Sequence, residues 1–323
     1  MNLPIRAACG LAAALCIAPA PAQAQNYPVR SIRFIVPFAP GGGTDIVARL
    51  LGQELNKALG QPVVIDNRGG AGSTLGTDLA AKAPPDGYTI VLNNIGLAFN
   101  ATLYPKLPYD TLKDLAPVSL VATQPNLFVV HPSLPVKSVA EFLKLARARP
   151  GQITYASGGV GSGSHLAAEL LILLTKVSLI HVPYKGTGPA IADLLGGQVQ
   201  MMVSTIASAL PHAKANKLRA LGVTSVTRSP AAPEVPTMVE AGVPGFEFST
   251  WYAVLVPAGT PKPVVQRLNT ELTRISKLPD IAEKFSTQGL DPLSSTPEAF
   301  GEYLKSEVDK WGKVVKATGA RAE

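Results

Sequence analysis

The feature that most constrains this chain is an alternation. Short apolar runs at 32–37, 63–66 and 88–92 are separated by segments of helical periodicity, and the junctions are glycine turns. In the first such segment, 44–59, Ile46, Val47, Leu50, Leu51, Leu55 and Leu59 fall on one face. Strand, helix and strand joined by turn residues make a βαβ unit. Repetition of that unit builds a parallel sheet covered by helices. The alternation restarts after residue 125. Strands are expected at 127–131, 153–157, 179–184, 199–204 and 218–224. Helices are expected between them: one opened by the capping box Ser138-Val139-Ala140-Glu141 and closed by Pro150-Gly151, then His165 to about Leu174, 187–195, and one near 205–216.

A third section differs. It offers one strand, 251–257, and helices at 261–278, 280–288 and from Thr296-Pro297 to about Thr318. Glu271 and Arg274 stand within reach at i, i+3. One strand cannot form a sheet, so this section is expected to return to the first unit. The pattern therefore predicts an α/β chain of two lobes, each a mostly parallel sheet flanked by helices, joined by two crossovers near 124–129 and 250–256. Lobe 1 is expected to comprise 25–125 plus 254–323, and lobe 2 to comprise 126–253.

The first residues read as an export signal. Arg6 is followed by an apolar stretch from 7 to 18 and then by "APAPAQAQ". Ala22-Gln23-Ala24 fits the small-x-small cleavage pattern, so cutting is expected after Ala24 and the mature protein is expected in the periplasm. The stretch is shorter than the ~20 residues that a membrane span requires. Lipoprotein processing at Cys16 is disfavoured by the bulky Leu15 before it. Cys9 and Cys16 are the only cysteines. Cleavage removes both, which leaves no disulfide, thiol nucleophile or thiolate metal ligand. The formal charge of +7 comes from scattered basic residues with no block of five or six and no interleaved aromatics. No nucleic-acid surface is expected.

Two glycine turns carry the chemistry: Pro40-Gly41-Gly42-Gly43-Thr44-Asp45, and "SGGVGSGSH" from Ser157 to His165. Each follows a strand and opens a helix. A helix start offers free N–H groups and the positive end of the macrodipole, and glycine lets the backbone approach a ligand. Such loops cradle anions. A tight connection capped by Thr44 or Ser164, with Asp45 complementing the dipole, is the plainer alternative. "GVGSGS" superficially resembles a dinucleotide fingerprint, but Ser164 occupies the third glycine position and no acidic residue lies between Glu169 and Asp193. No Gly-Lys-Ser/Thr follows the first loop. A carboxylate fits better than a polyphosphate.

Catalytic constellations are weak. There is no Gly-x-Ser-x-Gly and no His-Glu-x-x-His, and the four histidines (131, 165, 181, 212) lack metal-ligand spacing. Neither a metal nor a cofactor is expected. A Ser162/His165 pair is the best hydrolase alternative. Asn94, in "NNIG" after the third strand, stands where open α/β sheets bind ligands, or in a plain turn. Asp193 suits a ligand ammonium or hydroxyl, or a solvated helix face. Trp251-Tyr252, at the second crossover, line a cleft or pack in the core.

"YPVRSIRFIVPFAPGGGTDIVARLL", "VIDNRGGAGSTLG", "PPDGYTI", "LYPKLPYD", "YASGGVGSGSHLAAELL", "HVPYKGTGPAIADLLGGQV" and "LVPAGTPKPVV" run in order over nearly the whole mature chain. On these stretches the chain resembles the Bug receptors, the TctC-type periplasmic solute-binding proteins of tripartite tricarboxylate transporters. The resemblance implies a two-lobed, hinged Venus flytrap fold and a small carboxylate bound in the cleft. It implies that one ligand carboxylate is held by Phe38, Ala39, Gly42, Gly43, Thr44 and Asp45 from one loop, and by Ser157, Gly158, Gly161, Ser162 and Ser164 from the other. This chain has Asn67-Arg68-Gly69-Gly70-Ala71-Gly72-Ser73 where family members often have Asn-Arg-Pro-Gly-Ala-Gly-Gly, and its segment "LILLTKVSL" is unusually apolar. The resulting expectation is a monomeric, non-enzymatic receptor for a di- or tricarboxylate, aromatic carboxylate or amino acid. Its macromolecular partner is expected to be a membrane transporter or a sensor kinase.

Overall fold

The computed structural model describes residues 27–318 and Ala322. The expected leader, its cleavage point and both cysteines lie outside the described residues.

The first unit runs β1 (Ile32–Val36), α1 (Gly43–Leu59), β2 (Val63–Asn67), a single 3-10 turn (Ala71–Ser73), α2 (Thr74–Ala81), β3 (Thr89–Asn94) and α3 (Gly96–Leu103). A long strand β4 (Leu115–Val130) leads into α4 (Val139–Ala148), β5 (Thr154–Ser157), α5 (Gly163–Thr175), β6 (Ile180–Pro183), α6 (Thr187–Leu195), β7 (Met201–Thr205), α7 (Ile206–Lys214) and β8 (Arg219–Val223). The return consists of β9 (Ser249–Pro257), α8 (Lys262–Ser276), α9 (Pro279–Thr287), the two-residue β10 (Asp291–Pro292) and α10 (Pro297–Thr318).

The strands form one curled mixed sheet in the order β2-β1-β3-β9-β4-β7-β5-β6. Its outer parts are parallel: β1 pairs with β2 and β3, and β5 with β6 and β7. Its centre is antiparallel, because there the chain crosses over and comes back. β9 pairs with β3 and with β4 from Leu115↔Pro257 to Pro125↔Ser249. From Asn126 onward β4 pairs instead with β7, and from Leu127 with β8 as well. Thus β4 and β9 are the two crossover strands of a two-lobed α/β fold.

Three elements depart from the sequence reading, the shortest being the two-residue β10, which pairs antiparallel with β4. The stretch before residue 127 carries no expected strand, yet β4 begins at Leu115 and contains Pro117 and Pro125. Proline lacks the ladder donor and is accommodated at bulges. The register against β9 shifts between Pro117 and Ser119, and again between Leu120 and Ala122. The third is α3, where only a turn was expected. Gly96, Leu97, Ala98, Phe99, Asn100 and Leu103 are all buried, so the helix has no polar face for periodicity to reveal.

Strand alternation sends residues to opposite faces. Phe34 and Val36 join Val47, Leu51 and Leu55 of α1 and Leu268 of α8. Ile35 joins Val91, Phe99 of α3 and Trp311 of α10 in a cluster that continues through Phe128 to Phe142 and Leu171 of the second half. Phe99 meets Trp311 edge-on at 4.5 Å. Burial of each such aromatic contributes roughly 1.5–3 kcal/mol. The expected Glu271–Arg274 pair forms at 2.9 Å. Ser138 accepts the Glu141 amide at 3.2 Å as the capping box requires, while the Glu141 carboxylate reaches the Lys137 amide.

Candidate functional site

Both glycine loops leave the carboxyl end of a strand and enter a helix, as expected. The loop before α1 is organised by Asp45. Its Oδ2 accepts from the Gly41 amide at 3.0 Å and from Arg49 Nε at 2.9 Å, and its Oδ1 accepts from Asn67 Nδ2 at 3.0 Å. Asn67 Nδ2 also donates to the Phe38 carbonyl at 3.0 Å. Burial of Asp45 would raise its pKa, but the hydrogen bonds from Arg49, Gly41 and Asn67 outweigh it and hold the carboxyl below its ordinary range. Asp45 therefore braces the loop, and Arg49 neutralises it from one turn further along α1.

The N-cap of α1 is Gly42, with no side-chain cap. Thr44 is therefore not the cap; its Oγ1 instead accepts from Asn94 Nδ2 at 3.0 Å. Asn94 Oδ1 accepts the Gly96 amide at 2.9 Å, which fixes the amide's orientation. Gly43, Thr44, Asp45 and Asn94 are buried together at the sheet's carboxyl edge. A side chain at Gly43 would collide with the Tyr252 hydroxyl, with Gln124 Nε2 at 2.7 Å and with Thr205 Oγ1 at 2.9 Å.

The loop before α5 is organised by hydroxyls. Ser162 caps the helix by accepting the His165 amide at 3.3 Å, so Ser164 is not the cap. Ser164 Oγ accepts from the Gly158 amide at 2.9 Å and lies 3.1 Å from Ser162 Oγ. Ser157 Oγ donates to or accepts from His181 Nε2 at 2.6 Å and receives the Gly159 amide at 3.1 Å. The Gly161 amide donates to His165 Nδ1 at 3.3 Å. His165 stacks on His181 at 4.3 Å, and His181 on Tyr155 at 4.7 Å. The Tyr155 hydroxyl donates to Glu169 at 2.6 Å.

Burial lowers the His165 pKa to about 4. Burial, with the neighbouring His165 adding to it, lowers that of His181 to about 4, against an upward pull from Glu169. Burial and the Glu169 carboxylate raise that of Tyr155. With Nδ1 accepting from Gly161, His165 does not serve Ser162 as a base, which removes the geometry that the hydrolase alternative needs.

The two loops meet on a third segment. The Ala39 amide donates to the Lys185 carbonyl at 3.0 Å, so the 39–42 loop lies against residues 185–188 of the second half, and a Cβ on Gly158 of the other loop would stand 3.4 Å from the Thr187 nitrogen of the same segment. Asp193 is engaged nearby, accepting from the Tyr184 hydroxyl at 2.7 Å. Burial and that carboxylate push the Tyr184 pKa up to about 12. Trp251 goes elsewhere: its indole donates to Glu307 at 2.9 Å and packs on Phe300 in the core. Its neighbour Tyr252 points to the opposite face and meets Gln124, a hydrogen bond between the two crossover strands. Gln124 Oε1 in turn accepts the Ala207 amide at 3.1 Å, at the start of α7. Tyr252, offered by the sequence beside Trp251, stands behind Gly43 together with Gln124 and Thr205, two buried polar groups that sequence reasoning missed. Period-two alternation puts Trp251 and Tyr252 on opposite faces but does not say which one faces Gly43.

Among the described residues no three His, Cys, Asp or Glu are gathered as metal ligands. No described helix is long and apolar enough to cross a membrane.

Residues 47–320 match the family model described as "Tripartite tricarboxylate transporter family receptor", TctC. A UPF0065 protein from the tcbD-tcbE intergenic region of Pseudomonas sp. (strain P51) is 42% identical over 312 residues, 96% of this chain and 93% of that one. Protein BugT of Bordetella pertussis is 41% identical over 304 residues, 94% and 93% of the two chains. Among solved structures, periplasmic binding protein BugD superposes with a TM-score of 0.89 at 36% identity, covering 92% of this chain and 100% of that one. The Rhodopseudomonas palustris protein MatC, with bound malate, gives 0.84 at 36% identity, with 90% and 100% covered. Protein Rpa4515 of R. palustris, with adipate, gives 0.88 at 37% identity, with 91% and 98% covered. The matching family and these neighbours are solute-binding receptors, not enzymes.

Proposed function

We propose that this chain, which belongs to the tripartite tricarboxylate transporter receptor family, captures a small carboxylate between its two lobes and closes on it by hinge motion. The lobes in this reading are 25–125 plus 254–323, and 126–253. β4 and β9 form the hinge. The leader directs the chain to the periplasm and is removed after Ala24. A monomer then delivers its ligand to a membrane carrier or a sensor kinase.

The observation that carries this reading is the convergence of two glycine loops, one from each half, each opening a helix, on the shared segment 185–188: the Ala39 amide donates to the Lys185 carbonyl at 3.0 Å, and a Cβ on Gly158 would stand 3.4 Å from the Thr187 nitrogen. The first amides of α1 and α5 need acceptors from outside the helix, and the macrodipoles favour an anion there. The hydroxyls of Thr44, Ser162 and Ser164 can rotate to donate. Phe38, Ala39, Gly42, Gly43, Thr44 and Asn94 form one wall, and Ser157, Gly158, Gly161, Ser162 and Ser164 the other. Asp45 and Asp193 act through the neighbours they hold, and Trp251 supports the crossover from its core side. A ligand that touches both walls stabilises the closed state over the open one, and this differential affinity is what drives closure. A clamp of amides and hydroxyls holds a carboxylate without a buried ion pair, whose desolvation is costly.

A dicarboxylate is the first choice of ligand, because the similar proteins Rpa4515 and MatC hold adipate and malate. Titration calorimetry of the purified mature chain against adipate, malate, tricarboxylates, aromatic carboxylates and amino acids tests this. Saturable heat with at least one is expected. No heat and no thermal shift with any of them overturns the reading.

A further inference from the structure

We infer that Tyr104, at the end of α3, is a cross-lobe latch that sets the affinity for the carboxylate without touching it. This rests on the receptor reading above.

The segment Val160–Gly161 leaves the second loop and enters a slot in the first half. The slot is built from the glycine turn 70–73 and from α3. The Tyr104 hydroxyl donates to the Val160 carbonyl at 3.1 Å. Gly72 has φ +56, and a side chain on it would strike that same carbonyl. A side chain on Gly161 would strike Asn100 Oδ1, with Leu103 Cδ2 2.9 Å away. The Gly161 carbonyl lies 3.0 Å from where a Cβ on Gly96 would stand. Glycine at 72 is thus what allows the two halves to approach this closely.

Asn100 gives the slot a second property. Its Nδ2 donates to the Gly72 carbonyl at 2.7 Å, which fixes the glycine turn against α3. Its Oδ1 is buried with no hydrogen-bond partner and faces Gly161. An acceptor buried without a donor opposes the state that buries it. When the halves separate, water reaches both Asn100 Oδ1 and the Val160 carbonyl. The slot therefore holds two opposed contributions: the Tyr104 hydrogen bond favours closure, and the stranded Asn100 carbonyl resists it. Because the two contributions oppose each other, the ligand's contacts tip the equilibrium. A receptor that closed fully on its own would shut its binding site, and one without the latch would need more from the ligand.

The test uses Tyr104→Phe, which removes one hydroxyl and keeps the ring. The mature chain is expected to be cysteine-free, so Gln53→Cys and Lys144→Cys, one exposed residue in each half, provide a labelled pair for inter-lobe distances. The expected result is a roughly two- to tenfold weaker affinity for adipate or whichever carboxylate the parent binds, the size of one hydrogen bond. The unliganded melting temperature should be unchanged, and the distance distribution should shift toward longer values. Unchanged affinity together with an unchanged distribution overturns the latch and leaves the receptor reading intact. If the parent binds no carboxylate, the receptor reading fails. The distance shift on Tyr104→Phe in the unliganded protein then still decides the latch.

Discussion

The loop before α1 is braced by a buried carboxylate, Asp45, with Arg49 and Asn67 around it. The loop before α5 is braced by three serine hydroxyls and a histidine. Both connect a strand to a helix, and both helices begin on a glycine, Gly43 and Gly163. The difference lies in where the amides go. In the second loop Gly158, Gly159 and Gly161 already donate to Ser164, Ser157 and His165. In the first, Asp45 takes only Gly41 of the glycine run. In the receptor reading proposed above, the first loop is the rigid backbone wall, and the second offers hydroxyls that can re-aim. A receptor for an anion gains from both, since one wall fixes the position and the other adapts to it.

The sharpest break of this comparison is at the two leading glycines. Gly43→Val should abolish carboxylate binding, by more than roughly a hundredfold, because the new side chain meets the buried hydroxyls and amide of Tyr252, Thr205 and Gln124. Gly163→Val should cost less than roughly tenfold, because its Cβ would meet Ile95 at 3.3 Å and Thr250 at 3.5 Å. Calorimetry on both variants, with circular dichroism to confirm folding, checks this. Equal losses would show that the loops are not finished differently.

Acid should separate the loops next. The folded pKa of His165 is depressed to about 4, so the unfolded chain takes up a proton first as pH falls. Stability should therefore decline from about pH 6.5 down to about pH 4 and then level off for this group, by roughly 3 kcal/mol. Asp45 has the same sign of dependence in a more acidic window. Its folded pKa is also lowered, so its contribution is present above the unfolded carboxylate pKa and is lost as pH falls through the folded one. Urea unfolding across pH 3–7 should show the second loop's contribution lost before the first's, and His165→Gln should flatten part of the upper profile, His181 supplying the remainder.

Smaller effects follow from the braces themselves. Asp45→Asn keeps the shape but removes the charge that binds Arg49, and should lower unfolding stability by roughly 2 kcal/mol. Ser162→Ala removes an N-cap and should lower it by about 1 kcal/mol, with a modest loss of affinity beside it. If Ser162→Ala exceeds Asp45→Asn in a denaturant titration, the assignment of the rigid wall to the first loop is wrong.

The loops were legible because everything they need is contiguous: an apolar run, then glycines, then a helical pattern. The return of the third section was legible from its shortage of strand. What escaped notice depends on register. Trp251 and Tyr252 were legible as a pair, but Tyr252 rather than Trp251 faces Gly43, and only the pairing of β9 with β3 and β4 decides which of two adjacent aromatics goes to which face. β4 was hidden by Pro117 and Pro125, which break the strand pattern but fit its irregular ladder. α3 was hidden by its uniform burial, so neither Asn100 nor Tyr104 was singled out. Asp45 was read as a dipole partner and a wall residue, yet its reach back to Gly41 needs a loop geometry that spacing alone does not give.

The pairing of β3 with β9 has a consequence for the order in which this molecule can be assembled. β3 ends at Asn94, and its neighbour in the sheet begins only at Ser249. A chain emerging amino-end first can lay β1, β2 and β3 side by side, but β3 keeps an open edge until the whole segment that becomes the second half has appeared. That segment is continuous and can complete its own strands β5 to β8 while the first half waits. For this interval the apolar edge Ile90–Leu92 is available to any other strand in the compartment, so the span of chain most in need of a chaperone lies in the half that starts first and finishes last.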